Sequence, residues 1–158
     1  MYKRQVVRML IVGVAAADDA CRTGSALRRL ADRALERLSS RHPDRCLVLA
    51  STLEDSACRL LVRRALERVG GALFLLCPRP LPETLASQPD EQSRLDLLDL
   101  TARAERRIGL RGERGVKEWY ERRVEIVLLI GQGTAPRLPR KQARLDPQAG
   151  VLDWNFEY

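Results

Sequence analysis

Residues 45–69 of the chain read RCLVLASTLEDSACRLLVRRALERV, and this stretch decides the fold. Its first six residues, RCLVLA, form the short apolar run that is typical of a buried strand. Thr52 and Asp55 follow with the spacing of a capping box, which predicts the start of a helix. Apolar side chains then recur at helical spacing until Gly70-Gly71 ends the pattern. A strand followed at once by an amphipathic helix predicts a βαβ unit and a parallel sheet.

Other apolar runs extend this pattern on both sides. Residues 6–15 (VVRMLIVGVA), 72–77 (ALFLLC) and 124–130 (VEIVLLI) each predict a strand. A weaker strand signal lies near residues 108–110, and residues 135–158 predict an irregular tail or an edge strand at 151–158. The alternation with helices predicts an α/β fold, a three-layer sandwich with a mostly parallel, Rossmann-like sheet.

Three further helices are predicted from periodicity. The first ends before Pro43 and carries an apolar stripe made of Leu27, Leu30, Ala31, Ala34, Leu35 and Leu38. The second spans residues 90–107 and turns Leu95, Leu98 and Ala102 toward the core. The third is short, residues 117–123, with Trp119 and Tyr120 as anchors. The proline-rich residues 78–82 and the polar residues 111–115 predict loops.

The length of 158 residues fits one domain, expected at residues 6–158. Residues 1–5, MYKRQ, resemble the translated end of a transposon used in sequencing libraries, and we interpret them as a sequencing artefact. The chain is then expected to be a metagenomic fragment whose native sequence begins at or before Val6. An upstream domain and a homo-oligomer are both compatible with this interpretation. No apolar run approaches the roughly 20 residues that span a bilayer, and a cytoplasmic location is expected.

Charge and cysteine usage narrow the function classes. The net charge of +7 is a feature of many nucleic-acid-binding proteins. Most arginines, however, are interleaved with acidic residues, and the aromatic content of 4% provides few side chains for stacking on bases. Nucleic acid is therefore a disfavoured partner. The single histidine, His42, is predicted to be a solvated loop residue, so neither a metal site nor a resident cofactor is expected. Buried, reduced thiols are predicted for the widely spaced Cys21, Cys46, Cys58 and Cys77.

A ligand site is expected where parallel strands end and helices begin, at residues 15–24, 51–56, 78–80 and 131–135. Helix N-termini favour anions at these positions. Hydroxyl groups are available on Ser51, Thr52 and Ser56, and Arg79 adds a positive charge. The alternative is structural, with Thr52 as a helix N-cap and Ser51 as a turn residue.

The chemistry-bearing motifs are weak. A GxGT sequence is formed by Gly131, Gly133 and Thr134, which could bring the backbone close to a phosphate or form an ordinary loop. The chain has no GxGxxG, Walker or GxSxG motif. Paired carboxylates at the sheet edge suit acid–base catalysis or, alternatively, complement helix dipoles. The carboxylates expected there are Glu54, Asp55, Asp18 and Asp19. No catalytic set is assigned.

With these elements placed, three segments resemble the SLOG superfamily of Rossmann-like domains, which is related to the DNA-processing protein DprA and the lonely-guy phosphoribohydrolases. Residues 43–60, PDRCLVLASTLEDSACRL, are similar to the family's strand and "SxLAEGADRL" motif. Residues 81–110, LPETLASQPDEQSRLDLLDLTARAERRIGL, are similar to its "LP…LLARAxRVIEL" segment, and residues 123–131 to its "CDVLIALWDG" strand. The resemblance covers roughly residues 6–135.

This resemblance implies a nucleotide or nucleotide-derived ligand at the strand ends, commonly in a sensor module. Glu54, Ala57 and Arg59 match the family motif, and residues 131–135 partly match its "GGTA". Cys58 stands in place of the motif's aspartate. Residues 16–18, AAD, replace "GHR", and the lonely-guy signature PGGxGTxxE is absent.

The resulting hypothesis is a non-enzymatic, sensor or regulatory domain that binds a nucleotide-type ligand. The predicted binding residues are Ser51, Thr52, Glu54, Arg59, Arg79, Gly131, Gly133 and Thr134. The alternatives are an interaction or scaffold domain with a degenerate pocket and, third, a hydrolase of a nucleotide N-glycosidic bond that uses Glu54.

Overall fold

The strands and helices alternate along most of the chain. The computed structural model describes residues 8–17, 24–132 and 141–156. Within these ranges the strands are β1 (Arg8–Ala16), β2 (Arg45–Ser51), β3 (Ala72–Cys77), β4 (Arg106–Gly109), β5 (Ile126–Ile130), β6 (Lys141–Asp146) and β7 (Val151–Trp154). The helices are α1 (Ser25–Arg41), α2 (Ser56–Arg68), α3 (Leu81–Ala86), α4 (Glu91–Arg103) and α5 (Gly112–Arg123).

These strands form one sheet in the order β4-β3-β2-β1-β5-β6-β7. Every neighbouring pair is parallel except the edge pair of β6 and β7. The chain moves outward from β1 to β4 and then crosses back to place β5 beside β1. The connections of β1 and β5 therefore leave in opposite directions, which makes this pair the topological switch point of the sheet. The predicted α/β fold with a mostly parallel, Rossmann-like sheet is confirmed.

Helices cover both faces of the sheet and complete the three layers. Helices α1, α2 and α4 pack on one face, where the core contains Leu10, Leu49 and Leu128. Helix α5 lies on the other face, over Val48, Phe74 and Val127. It approaches closely because β1 has a glycine beneath it, since a Cβ on Gly13 would lie 3.3 Å from the ring of Tyr120.

Helix α4 presents a different face to the core from the one predicted. Leu97, Leu100 and Thr101 are buried, whereas the predicted inward residues Leu95, Leu98 and Ala102 are exposed. Both sets recur at helical spacing, so periodicity alone does not separate them. In the observed orientation α4 presents Asp96 and Asp99 to α2, where Arg59 and Arg63 donate to them.

Several segments predicted as loops are regular. Helix α3 follows the proline run, with Pro82 in its first turn, where the missing N–H of proline costs nothing. Helix α5 begins at Gly112, inside the predicted polar loop. After residue 135 the chain adds two strands, β6 beside β5 and the edge strand β7, so the predicted tail is only partly irregular.

The polar residues also differ in places from expectation. His42 is part-buried rather than solvated, and its backbone N–H donates to the Leu38 carbonyl at 3.2 Å at the end of α1. Cys46, Cys58 and Cys77 are free thiols, but only Cys58 is buried as predicted, whereas Cys46 and Cys77 are part-buried. Cys21 lies outside the described residues. None of the helices in the described ranges is long and apolar enough to cross a membrane.

Arginines tie the three helices of the larger layer together. Arg64 on α2 donates two hydrogen bonds to Asp32 on α1, at 2.7 and 2.8 Å. Arg63, one residue earlier, donates to Asp99 on α4 at 2.8 Å and also pairs with Asp96. Each of these arginines therefore contacts a carboxylate of a neighbouring helix and links the helices of this layer.

Candidate functional site

A cleft of about 540 Å³ opens at the carboxyl edge of the sheet, next to the switch point. The ends of β1 and β2, the start of α2 and one face of α5 enclose it. Among the described residues its lining consists of Val14, Ala15, Ala16, Thr52, Glu54, Asp55, Cys58, Glu113, Val116, Lys117 and Tyr120. The floor is therefore apolar, and the rim carries three carboxylates and one lysine.

The loop between β2 and α2 has an unusual backbone. Leu53 adopts a φ of 58°, in the left-handed region that residues with a side chain rarely enter. Its side chain is fully buried, and its N–H donates to the Ser51 hydroxyl oxygen at 3.1 Å. Thr52 and Glu54, the residues on either side of Leu53, both line the cleft. Ser51 is buried under the turn and supports its shape.

Arg59 lies behind this loop instead of inside the cleft. Its side chain is 2% exposed, and one terminal nitrogen, Nη1, donates to the carbonyls of Leu53 at 2.9 Å and Glu54 at 3.2 Å. The same nitrogen donates to the Gln88 side chain at 3.0 Å, and Nε donates to Asp96 at 3.2 Å. Arg59 therefore fixes the backbone of the loop, and it is not among the cleft-lining residues.

Glu54 is held by both its backbone and its side chain. Besides accepting from Arg59, its carbonyl receives the Gln88 amide at 3.5 Å. Its carboxylate forms an ion pair with Arg79, from the segment after β3. The hydrogen bond from Arg79 to this carboxylate raises the pKa of the guanidinium. The structure thus brings Glu54 and Arg79 together at the rim, in a contact with each other.

Helix α2 starts later than the capping box predicts. Its N-cap is Asp55, whose carboxylate accepts the N–H of Ala57 at 2.7 Å. Thr52 was expected to be the cap, but the left-handed turn at Leu53 separates it from the helix. The Thr52 side chain lines the cleft instead.

The second wall of the cleft comes from α5, which contributes Glu113, Val116, Lys117 and Tyr120. None of these was predicted as a site residue. A signal existed, because their spacing of three and four residues puts them on one face of a helix. The sequence did not show that α5 crosses to the other side of the sheet and passes the ends of β1 and β2.

Tyr120 joins the wall to the sheet. Its ring is buried, and its hydroxyl lies 3.1 Å from both the Val14 carbonyl of β1 and the Ala50 carbonyl of β2. One hydroxyl proton serves either acceptor at a time. Burial raises the pKa of this phenol, so it stays protonated and keeps donating at neutral pH. The predicted anchor role of Tyr120 is confirmed.

The predicted GxGT turn is only partly described. Gly131 donates its N–H to Leu145 at 2.9 Å and accepts from Arg144 at 2.9 Å, so it belongs to the junction of β5 and β6. Gly133 and Thr134 lie outside the described residues, as do Asp18 and Asp19. In the described ranges, no group of three or more His, Cys, Asp or Glu side chains is arranged to hold a metal ion.

The chain's single histidine lies far from this cleft in the fold. His42 caps the carboxyl end of α1, immediately before β2 begins, and therefore lies at the opposite edge of the sheet. The usual acid–base residue of enzymes is thus unavailable to the cleft.

Comparison with known proteins adds no relative to this description. No protein-family model matches the chain, and no curated protein matches its sequence.

Proposed function

We propose that this domain binds a nucleotide or nucleotide-derived ligand in the cleft at the carboxyl edge of the sheet, as a sensor or regulatory module. The observation that carries the proposal is the open cleft of about 540 Å³ at the end of β1, beside the switch point. Sites for small ligands have volumes of roughly 300–1,000 Å³. Parallel α/β sheets bind ligands at this position.

The chemistry of the lining supports a nucleoside-like group. Ala15 and Ala16 are part-exposed in the lining and offer an apolar surface against which a base can pack, with Val14 and Val116 buried behind it. Glu54 and Glu113 offer carboxylates, the groups that accept hydrogen bonds from ribose hydroxyls in dinucleotide-binding sheets. The resemblance of residues 43–60 to SLOG domains points to the same ligand class.

Two features favour ligand binding over the alternatives. A scaffold domain with a degenerate pocket would be expected to fill the cleft with side chains, whereas this cleft is open. The hydrolase alternative gives the catalytic role to Glu54, whose carboxylate is instead paired with Arg79. No histidine is present in the described lining. We therefore propose binding without catalysis.

A matched pair of variants on α5 tests the proposal. Glu113 and Glu121 are both exposed on this helix, but only Glu113 lines the cleft. Thermal unfolding is measured with adenosine, AMP, ADP, ATP, NAD and cyclic dinucleotides. We expect at least one to raise the Tm of the wild-type chain and of Glu121→Trp but not of Glu113→Trp, whose indole fills the cleft. A ligand at 100 times its Kd stabilises by about 2.7 kcal/mol.

The absence of any Tm shift across this panel would overturn the proposed function. A shift that Glu113→Trp and Glu121→Trp retain equally would place the binding site elsewhere.

A further inference from the structure

We infer that the cleft selects its ligand through the hydrogen-bond donors of a nucleoside and discriminates against phosphate groups. This inference rests on the proposed function and concerns which part of the ligand the protein recognises. It opposes the usual expectation for such folds, in which the helix N-terminus at the strand ends holds a phosphate.

The first argument is the charge of the lining. Glu54, Asp55 and Glu113 line the cleft, and Lys117 is the cation among its described lining residues. Arg79 pairs with Glu54 at the rim, so Asp55 and Glu113 carry most of this argument. Carboxylates accept hydrogen bonds and donate none. They therefore pair with hydroxyl and amine hydrogens and repel phosphate oxygens. This preference acts at contact distance, whereas the attraction of a phosphate to the net charge of +7 is screened beyond about 8 Å at physiological salt.

The second argument is that α2 already holds an anion at its N-terminus. The Asp55 carboxylate accepts the Ala57 N–H at 2.7 Å and stands where a phosphate would meet the helix. A phosphate at this place would have to displace or approach a fixed carboxylate. The Asp55 carboxylate therefore already occupies and neutralises the positive end of this helix, which leaves less attraction for a second anion.

The third argument is that the two arginines expected to meet a phosphate are engaged within the protein. Arg79 forms an ion pair with Glu54 at the rim. Arg59 is buried and donates its hydrogen bonds to the Leu53 and Glu54 carbonyls and to the side chains of Gln88 and Asp96. Arg59 cannot turn to a ligand without breaking the contacts that hold the loop, and a phosphate at Arg79 would compete with the Glu54 carboxylate.

Calorimetric titration at 0.15 M salt with adenosine, AMP, ADP and ATP tests this inference. We expect the affinity to fall by about fivefold or more with each negative charge brought near the rim carboxylates. Asp55→Asn keeps a good helix cap while removing the charge, and Glu113→Gln removes a second charge. Both should narrow the ratio of adenosine to ADP affinity, and the control Glu121→Gln should leave it unchanged.

The outcomes separate the two proposals. If ADP or ATP binds the wild-type chain as tightly as adenosine or more tightly, the inference fails and the proposed function stands. If Asp55→Asn and Glu113→Gln leave the ratio unchanged, the carboxylates do not set it and the inference fails. If no ligand of this series or of the wider nucleotide panel binds, both proposals fail.

Discussion

Replacing Arg59 with alanine should destabilise the domain strongly. The side chain is 2% exposed and its guanidinium makes four hydrogen bonds, at 2.9 to 3.2 Å, to two backbone carbonyls, one amide oxygen and one carboxylate. A hydrogen bond to a charged group contributes about 1.5–3 kcal/mol, but bonds from one group do not add fully. Removing one partner of a buried pair costs about 3–5 kcal/mol. Asp96 is 29% exposed and keeps Arg63, which places Arg59→Ala toward the lower end of this range.

The measurement is urea unfolding followed by circular dichroism, with the free energy of unfolding extrapolated to water. A loss of 3–5 kcal/mol corresponds to a fall in Tm of roughly 6–20 °C for a domain of this size. Arg63→Ala is the matched control on the same helix. It shares the Asp96 acceptor, but its side chain is 28% exposed and its described partners are carboxylates. An exposed pair contributes about 0–1 kcal/mol. The reasoning is wrong if Arg59→Ala costs under 1 kcal/mol, or if the two variants lose equal stability.

Three further outcomes are expected from single positions. Gly70→Ala should cost about 1–2 kcal/mol in chemical unfolding because φ is +63° there, whereas Gly109→Ala, which has equal open space and no positive φ, should cost almost nothing. The hydrogen bond from Arg64 lowers the pKa of Asp32 below its ordinary value of 3.8. The stability from this pair is therefore present above pH 3.8 and is lost as the pH falls through the lower pKa of the folded state. Asp32→Asn should make the free energy of unfolding fall less steeply at acid pH. Tyr120→Phe should cost about 1–3 kcal/mol in urea unfolding, because a buried carbonyl loses its donor; an unchanged midpoint would contradict that role.

The centre of the sheet was predictable because strands β2, β3 and β5 are buried on both faces. Continuous apolar runs such as 72–77 allow few other interpretations, and their alternation with helices fixes parallel pairing. The strand β6 was missed because its sequence, KQARLD, buries only Ala143 and Leu145 and reads as polar. The orientation of α4 was missed because two apolar stripes were available and contacts with α2 chose between them.

The position of the site was predictable, but the roles of its residues were not. A strand end followed by a helix marks residues 51–56 as an edge of the sheet, which a local pattern reveals. Whether Thr52 caps the helix depends on the φ of Leu53, and no residue type there announces a left-handed turn. The wall formed by α5 depends on a crossover of the chain that no window of sequence contains.

Arg59 shows why such roles need three dimensions. An arginine beside a ligand loop and an arginine that holds the loop have the same place in the sequence. Leu53 has a strained backbone conformation, of a kind that costs about 1–3 kcal/mol. This conformation persists because the Leu53 side chain is buried and its carbonyl accepts a hydrogen bond from Arg59. The contacts of Arg59, Ser51 and Gln88 fix the loop before any ligand arrives. Binding in this cleft should therefore cost little ordering of the β2–α2 loop, and the discrimination between ligands should come from the fixed carboxylates rather than from closure of that loop.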